Sequence, residues 1–228
     1  LGLELAASWT RTLSCREIAD EMEKSLDILA TGSRDLPERH RSMKAVADYS
    51  WKLLTQDEAG ALARLSVFRG GFNKEAAHKV AGAGLPLLGS LMDKSLIRRR
   101  DGGRFDLHEV VRQFAGEKLH ALTGIEGETQ EFHTGYFLGL LETMEAKLKG
   151  WGQHVALGVL SSDLDNIRTA WHFAVKARDG ESLSRACGGL FYYFNIRTRF
   201  EEGLKLFQAA SKAFAVKEPV LWARFASD

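Results

Sequence analysis

In the last hundred residues the apolar side chains return at the spacing of an α-helix. Leu183, Ala186, Cys187, Leu190, Phe191 and Phe194 fall at i, i+3, i+4, i+7, i+8 and i+11, and Leu164, Ile167, Ala170, Trp171, Ala174 and Val175 keep a similar stripe. Such a stripe is stable only when another surface covers it. Arg178-Asp179-Gly180 and Arg197-Thr198-Arg199 are short enough to join neighbouring helices as hairpins. Prolines number only 3 in 228 residues, so the interruptions are few. The main ones are Thr31-Gly32-Ser33-Arg34-Asp35-Leu36-Pro37 and the stretch from Leu122 to Gly127. They divide the chain into 1–36, 37–122 and 123–228.

The central piece changes period. A helix is expected from about Arg41 to Leu54. Thr55 then caps a second helix with Glu58 three residues on, a capping box. Asn73 caps a third that runs through Val80. After Gly82-Ala83-Gly84, Pro86 suits the first turn of a short helix, Leu87 to Asp93. Ser95-Leu96-Ile97-Arg98-Arg99-Arg100 and Arg104-Phe105-Asp106-Leu107 flank Asp101-Gly102-Gly103, whose glycines supply the positive φ that a hairpin turn needs. A last helix follows from His108, with Val110, Val111, Phe114, Ala115, Leu119 and Leu122 on one face. Helices followed by a β-hairpin are the order of a winged-helix domain. The expected fold is therefore mainly α: a winged helix with a small β-hairpin, then helical hairpins similar to tetratricopeptide repeats, without two clean copies of the repeat.

Charge is balanced overall, 31 Lys+Arg against 30 Asp+Glu, but not along the chain: residues 34–122 carry +5, between −3 over 1–33 and −1 over 123–228. Two cysteines, Cys15 and Cys187, with no CxxC pairing, argue against a disulfide scaffold and a zinc site, and a reducing, cytoplasmic setting is expected. No stretch reaches the roughly 18 apolar residues of a spanning helix, so no membrane partner is expected. The chain opens at Leu1 on an amphipathic pattern already under way, which reads as a piece of something longer.

The search for chemistry finds little. No Gly-Lys pair occurs, so a phosphate-cradling P-loop is absent from this sequence. Gly82-Ala83-Gly84 has Leu87 where a dinucleotide fingerprint needs its third glycine. His108-Glu109-Val110-Val111-Arg112 has Arg112 in place of the second histidine of a zinc-protease helix. There is no nucleophile elbow. Asp163 and Asp165 read as carboxylates at a helix start, opposing the positive end of its dipole. No catalytic residue, metal ligand or bound cofactor is expected, and the chain is not expected to be an enzyme. The helix that would enter a DNA groove, Pro86 to Lys94, has almost nothing to read bases, while Arg98, Arg99, Arg100 and Arg104 offer contacts to phosphates or DNA backbone.

Several segments together resemble the middle of bacterial STAND signal-transduction ATPases, which join a P-loop ATPase to a winged helix and a helical-repeat sensor. They are Leu1-Gly2-Leu3-Glu4-Leu5-Ala6-Ala7-Ser8-Trp9, Asp48-Tyr49-Ser50-Trp51-Lys52-Leu53-Leu54, Leu65-Ser66-Val67-Phe68-Arg69-Gly70-Gly71-Phe72, Leu91-Met92-Asp93-Lys94-Ser95-Leu96-Ile97 and Asp163-Leu164-Asp165-Asn166-Ile167-Arg168. Leu107-His108-Glu109 is similar to the Met-His-Asp triplet of related switch ATPases, with Leu and Glu replacing Met and Asp. The resemblance implies that His108 reaches the β-phosphate of ADP held by an ATPase domain elsewhere in the parent protein; from spacing alone it is a surface or capping residue. It further implies ADP or ATP with Mg in the parent, and an inducer or partner protein on the repeats, with Tyr192, Tyr193 and Trp222 as candidate contacts. The alternatives are a DNA-binding module that uses the basic hairpin, and a protein-binding scaffold.

Overall fold

The computed structural model describes residues 6, 7, 10, 12–24 and 43–214. The 31–37 break, most of Leu1 to Trp9, Trp222 and the helix expected from Pro219 lie outside the described residues. Two compact units form, one from residues 1–66 and 83–126, the other from 67–82 and 127–228.

The first unit contains α1 (Cys15–Lys24), α2 (Met43–Lys52) and α3 (Gln56–Leu65). α4 (Lys74–Ala81) belongs to the second unit. α5 (Leu85–Asp93), the strands β1 (Ile97–Arg99) and β2 (Phe105–Leu107), and α6 (Glu109–His120) return to the first. α3 starts where the Thr55 side chain accepts from the Glu58 N–H and the Glu58 carboxylate accepts from the Thr55 N–H, the capping box read from the sequence. Glu58 does more than cap. Its carboxylate also receives the Ser90 hydroxyl and the Lys94 ammonium, the latter at 2.6 and 2.7 Å, so it ties α3 to the end of α5. Leu62, Leu65, Leu88 and Leu91 fill the seam between those helices. On α6, Val110 and Phe114 pack with Ala6, Met22, Ala47 and Trp51, and the Trp51 and Phe114 rings meet edge-on at 5.8 Å. The strands pair antiparallel, Ile97 with Leu107, Arg98 with Asp106 and Arg99 with Phe105, across a turn in which Gly102 and Gly103 have φ of 70° and 72°.

The second unit is built on α7 (Ile125–Lys149), α8 (Gln153–Ser162), α9 (Leu164–Ala177), α10 (Gly180–Ile196) and α11 (Phe200–Phe214). α9, α10 and α11 each pack on the other two, a helical hairpin with the first helix of the next. The stripes read from the sequence are largely the packed faces: Leu164, Ile167, Ala170, Trp171 and Ala174 on α9, and Leu183, Ala186, Cys187, Leu190 and Phe194 on α10, are buried, while Val175 and Phe191 at the edges of the stripes are half-buried. Trp171 buries its whole ring and donates its indole N–H to the Leu206 carbonyl at 3.0 Å, so the large side chain carries no unsatisfied donor. Arg178 and Thr198 adopt left-handed conformations in the two turns, with φ of 57° and 55°.

Several expectations shift. The first helix of the central piece ends at Lys52, two residues before the expected Leu54, and its expected start at 41–42 lies outside the described residues. α6 stops at His120, because the chain turns at residues 121–124, and Leu122 lies 38% exposed instead of continuing the apolar face. The break expected at 122–127 is shorter, since α7 begins at Ile125. Residues 67–82, read as the middle of the winged helix, cluster with the second unit. The cause is an aromatic nest in which Phe68 meets Phe72 at 4.6 Å, His133 at 5.5 Å and Phe137 at 6.0 Å.

Candidate functional site

The basic hairpin is partly self-neutralised. Register places Arg98 opposite Asp106, and Arg100 comes to the same carboxylate: Arg98 donates to Asp106 Oδ2 at 3.2 and 2.8 Å, Arg100 at 2.8 and 2.5 Å. Burial pushes the Asp106 carboxyl up, and the two guanidinium groups outweigh it and hold it below the usual carboxylate range. Arg98 and Arg100 still leave more than half of their side chains in solvent, 56% and 58%. Arg99 is exposed and has no ion-pair partner among the described residues; Arg104 is half-buried and already engaged.

His108 follows β2 directly and is the N-cap of α6. Its Nδ1 accepts from the Val110 N–H at 3.4 Å. A ring nitrogen that accepts carries no proton, so in the neutral ring Nε2–H is the donor that remains. The imidazole is exposed. Glu109 is turned to its own helix, where Arg112 Nε donates to it at 2.8 Å and Gln113 at 3.0 Å. The positive end of α6, the Arg98 to Arg100 run and His108 thus follow one another around a single hairpin-helix junction, chemistry that suits an anion.

α5 is mostly apolar, and Asp93 at its end is its one exposed charged side chain. Leu88 and Leu91 are buried, and Lys94, just past its C-terminus, is held by Glu58.

Of the aromatic candidates, Tyr193 is corrected: it is 1% exposed, fills the core, and meets Ser161 Oγ at 3.0 Å through its hydroxyl. Its position on the inner stripe of α10, between Leu190 and Phe194, leaves it no surface to present. Tyr192 is half-buried with the Lys149 ammonium 4.7 Å from its ring centroid. Trp222 lies outside the described residues.

Asp163, expected to cap α9, makes no capping hydrogen bond. It is buried and accepts from the Asn166 side chain at 3.3 Å. Asn166 is the residue that the sequence did not reveal. It is fully buried; Oδ1 accepts from the Arg69 N–H at 2.6 Å and faces His133 Nε2 at 3.4 Å, and Nδ2 donates to the Gly71 carbonyl at 2.8 Å. It pins the turn after Phe68 to the start of α9. His133 is held to about 4, mainly because burial disfavours its charged form. Among the described residues no group of three or more His, Cys, Asp or Glu side chains is placed to hold a metal ion, and no helix is long and apolar enough to cross a membrane.

No protein-family model matches the chain. A solved structure, a STAND protein with a tetratricopeptide-repeat sensor from Pyrococcus horikoshii, aligns over 98% of this chain and 39% of its own with 17% identity and a TM-score of 0.38, too distant to establish a shared fold. An uncharacterized protein of Mycobacterium tuberculosis is 32% identical over 130 residues, 52% of this chain and 33% of its own. Proteins of Mycobacterium tuberculosis and Mycobacterium bovis named "Putative HTH-type transcriptional regulator" are 32% identical over 224 residues, 92% of this chain and 24% of theirs. The chain spans about a quarter of the length of these curated relatives, and along nearly all of its own length it is similar to proteins named as transcriptional regulators.

Proposed function

We propose that the chain is the regulatory portion of a STAND-type, nucleotide-dependent switch in a transcriptional regulator. The winged-helix unit closes over ADP held by an ATPase domain of the same parent, with Mg and nucleotide bound there, and the helical hairpins receive an inducer or partner protein. The chain itself carries no catalytic residue in this reading, and it works in the cytoplasm. The observation that carries the proposal is the match to proteins named as HTH-type regulators over 92% of this chain. An inducer moves such a switch only if it binds the open and closed states unequally.

His108 is the residue that touches phosphate. Its exposed place at the α6 N-terminus, with Nδ1 accepting from Val110, supports that role. In a parent protein containing the ATPase domain, His108→Ala is expected to speed ADP release by about tenfold, a loss of about 1.4 kcal/mol, and to raise basal output. Unchanged ADP release and unchanged output would remove the phosphate role.

A second reading draws on Arg99, exposed and unpaired among the described residues: the hairpin lies along a DNA backbone without reading sequence. It requires a salt-dependent mobility shift of DNA by this chain that weakens in Arg99→Ala. No shift at low salt excludes it.

A further inference from the structure

Among the described residues, α7 buries one surface in the core and leaves a second partly open, with Tyr136, Leu140 and Met144 half-buried. Its core row, Thr129, His133, Phe137 and Leu141, is buried in the second unit. The adjacent row at the same four-residue spacing, Phe132, Tyr136, Leu140 and Met144, is a ridge of large apolar side chains. Next to that lies a furrow, Gly135, Gly139 and Thr143, headed by Glu131. Ridge and furrow line a groove of about 650 Å³ whose other wall is Glu75 and Lys79 of α4. Phe132 is 50% exposed. A Cβ added at Gly135 or Gly139 meets nothing within 4 Å, so the floor is open backbone.

A ridge of large residues beside a furrow of small ones, both following i±4 rows, is the surface that receives the ridge of another helix. From Glu131 to Met144 the rows extend about 20 Å at 1.5 Å per residue, enough for roughly three turns of a partner. The rim gives the partner a sign. Glu75, Glu131 and Lys79 are exposed and form no ion pair with any described residue, an uncompensated excess of one negative charge around an apolar slot.

We propose that this groove is a docking site for an amphipathic helix of a partner protein, which sets an apolar i, i+4 ridge over Gly135 and Gly139 and carries Lys or Arg beside Glu75 and Glu131. The site uses neither His108 nor nucleotide, so it stands or falls apart from the switch reading.

The test is fluorescence anisotropy on the whole 228-residue chain with a dye-labelled synthetic helix of about 18 residues, leucines on one i, i+4 row and lysines flanking it. A matched peptide with glutamates in place of the lysines is the control. The lysine peptide is expected to bind at least about tenfold more tightly than the glutamate peptide. Gly139→Leu, which fills open space and leaves the chain folded by circular dichroism, is expected to weaken it by at least about tenfold. The double variant Glu75→Lys, Glu131→Lys is expected to reverse the preference between the peptides. Equal binding of the two peptides, no binding of either, or no effect of Gly139→Leu overturns the proposal. Concentration-dependent self-association of the chain that Gly139→Leu abolishes also overturns it, because a second copy then owns the groove.

Discussion

Replacing Asn166 by Ala removes several buried hydrogen bonds at once: those from the Arg69 N–H, to the Gly71 carbonyl and with His133 Nε2. Each unsatisfied group costs on the order of 1–3 kcal/mol, and relaxation recovers part of the sum, so Asn166→Ala is expected to destabilise the chain by about 3 kcal/mol. Urea unfolding with an unchanged slope reads it. Acid acts on the same cluster. His133 titrates near 6.5 when unfolded and about 4 when folded, so the unfolded chain takes up its proton first. Stability from this group is therefore full above about pH 6.5, falls as pH drops from there, and levels off below about 4, with a total loss of up to about 3 kcal/mol. His133→Phe should flatten that slope. Glu58, held to about 2 by Lys94, Ser90 and the Thr55 N–H, acts in a lower window: its contribution is present above about 4.5 and is lost as pH falls toward 2. In Glu58→Gln the acid limb of a melting-temperature profile below about pH 4.5 should be shallower. A profile that both variants leave unchanged contradicts these assignments. The half of Glu58 that caps α3 is legible in sequence because its partner is three residues away. The half that holds Ser90 and Lys94, 32 and 36 residues on, carries no local signal, nor do the bonds of Asn166 to Arg69 and Gly71.

At the scale of elements, two glycines of the second unit separate packing from freedom. A Cβ at Gly189 on α10 would sit 2.2 Å from the Leu141 carbonyl oxygen of α7, backbone against side chain with no flexible end to yield, whereas a Cβ at Gly139 meets nothing within 4 Å. Gly189→Ala must therefore part the two helices, and a loss of about 2–4 kcal/mol is expected. Gly139→Ala gains helix propensity with no clash and should stabilise by about 0.5–1 kcal/mol. Thermal melts of the pair should move in opposite directions; movement in the same direction contradicts the crossing at Gly189. Sequence periodicity found the apolar stripe of α10 because a buried stripe repeats every turn. It did not mark Gly189, since a single close approach has no period. The hairpin was legible for the same local reason as the caps: Asp101-Gly102-Gly103 demands positive φ. The capture of Arg98 and Arg100 by Asp106 needed the cross-strand register, and it turns an apparent block of four free cations into one that is partly compensated.

At the scale of the whole molecule, residues 67–82 belong with 127–228 although α5, the hairpin and α6 intervene in sequence. A fragment 123–228, cut where the sequence breaks, lacks Phe68 and Phe72 and leaves His133, Phe137 and Asn166 uncovered. It is expected to melt without a cooperative transition, while 67–228 retains one; calorimetry on the two fragments decides, and equal cooperativity would contradict the assignment. The same interleaving sets a delay during biosynthesis. Phe68 and Phe72 leave the ribosome long before α7 and α9 exist, and the Arg69 N–H waits 97 residues for Asn166. At roughly 5–20 residues per second, that aromatic turn stays uncovered for about 5–20 s, so the rate of translation and the holding of a nascent apolar segment by chaperones bear directly on the yield of folded second unit.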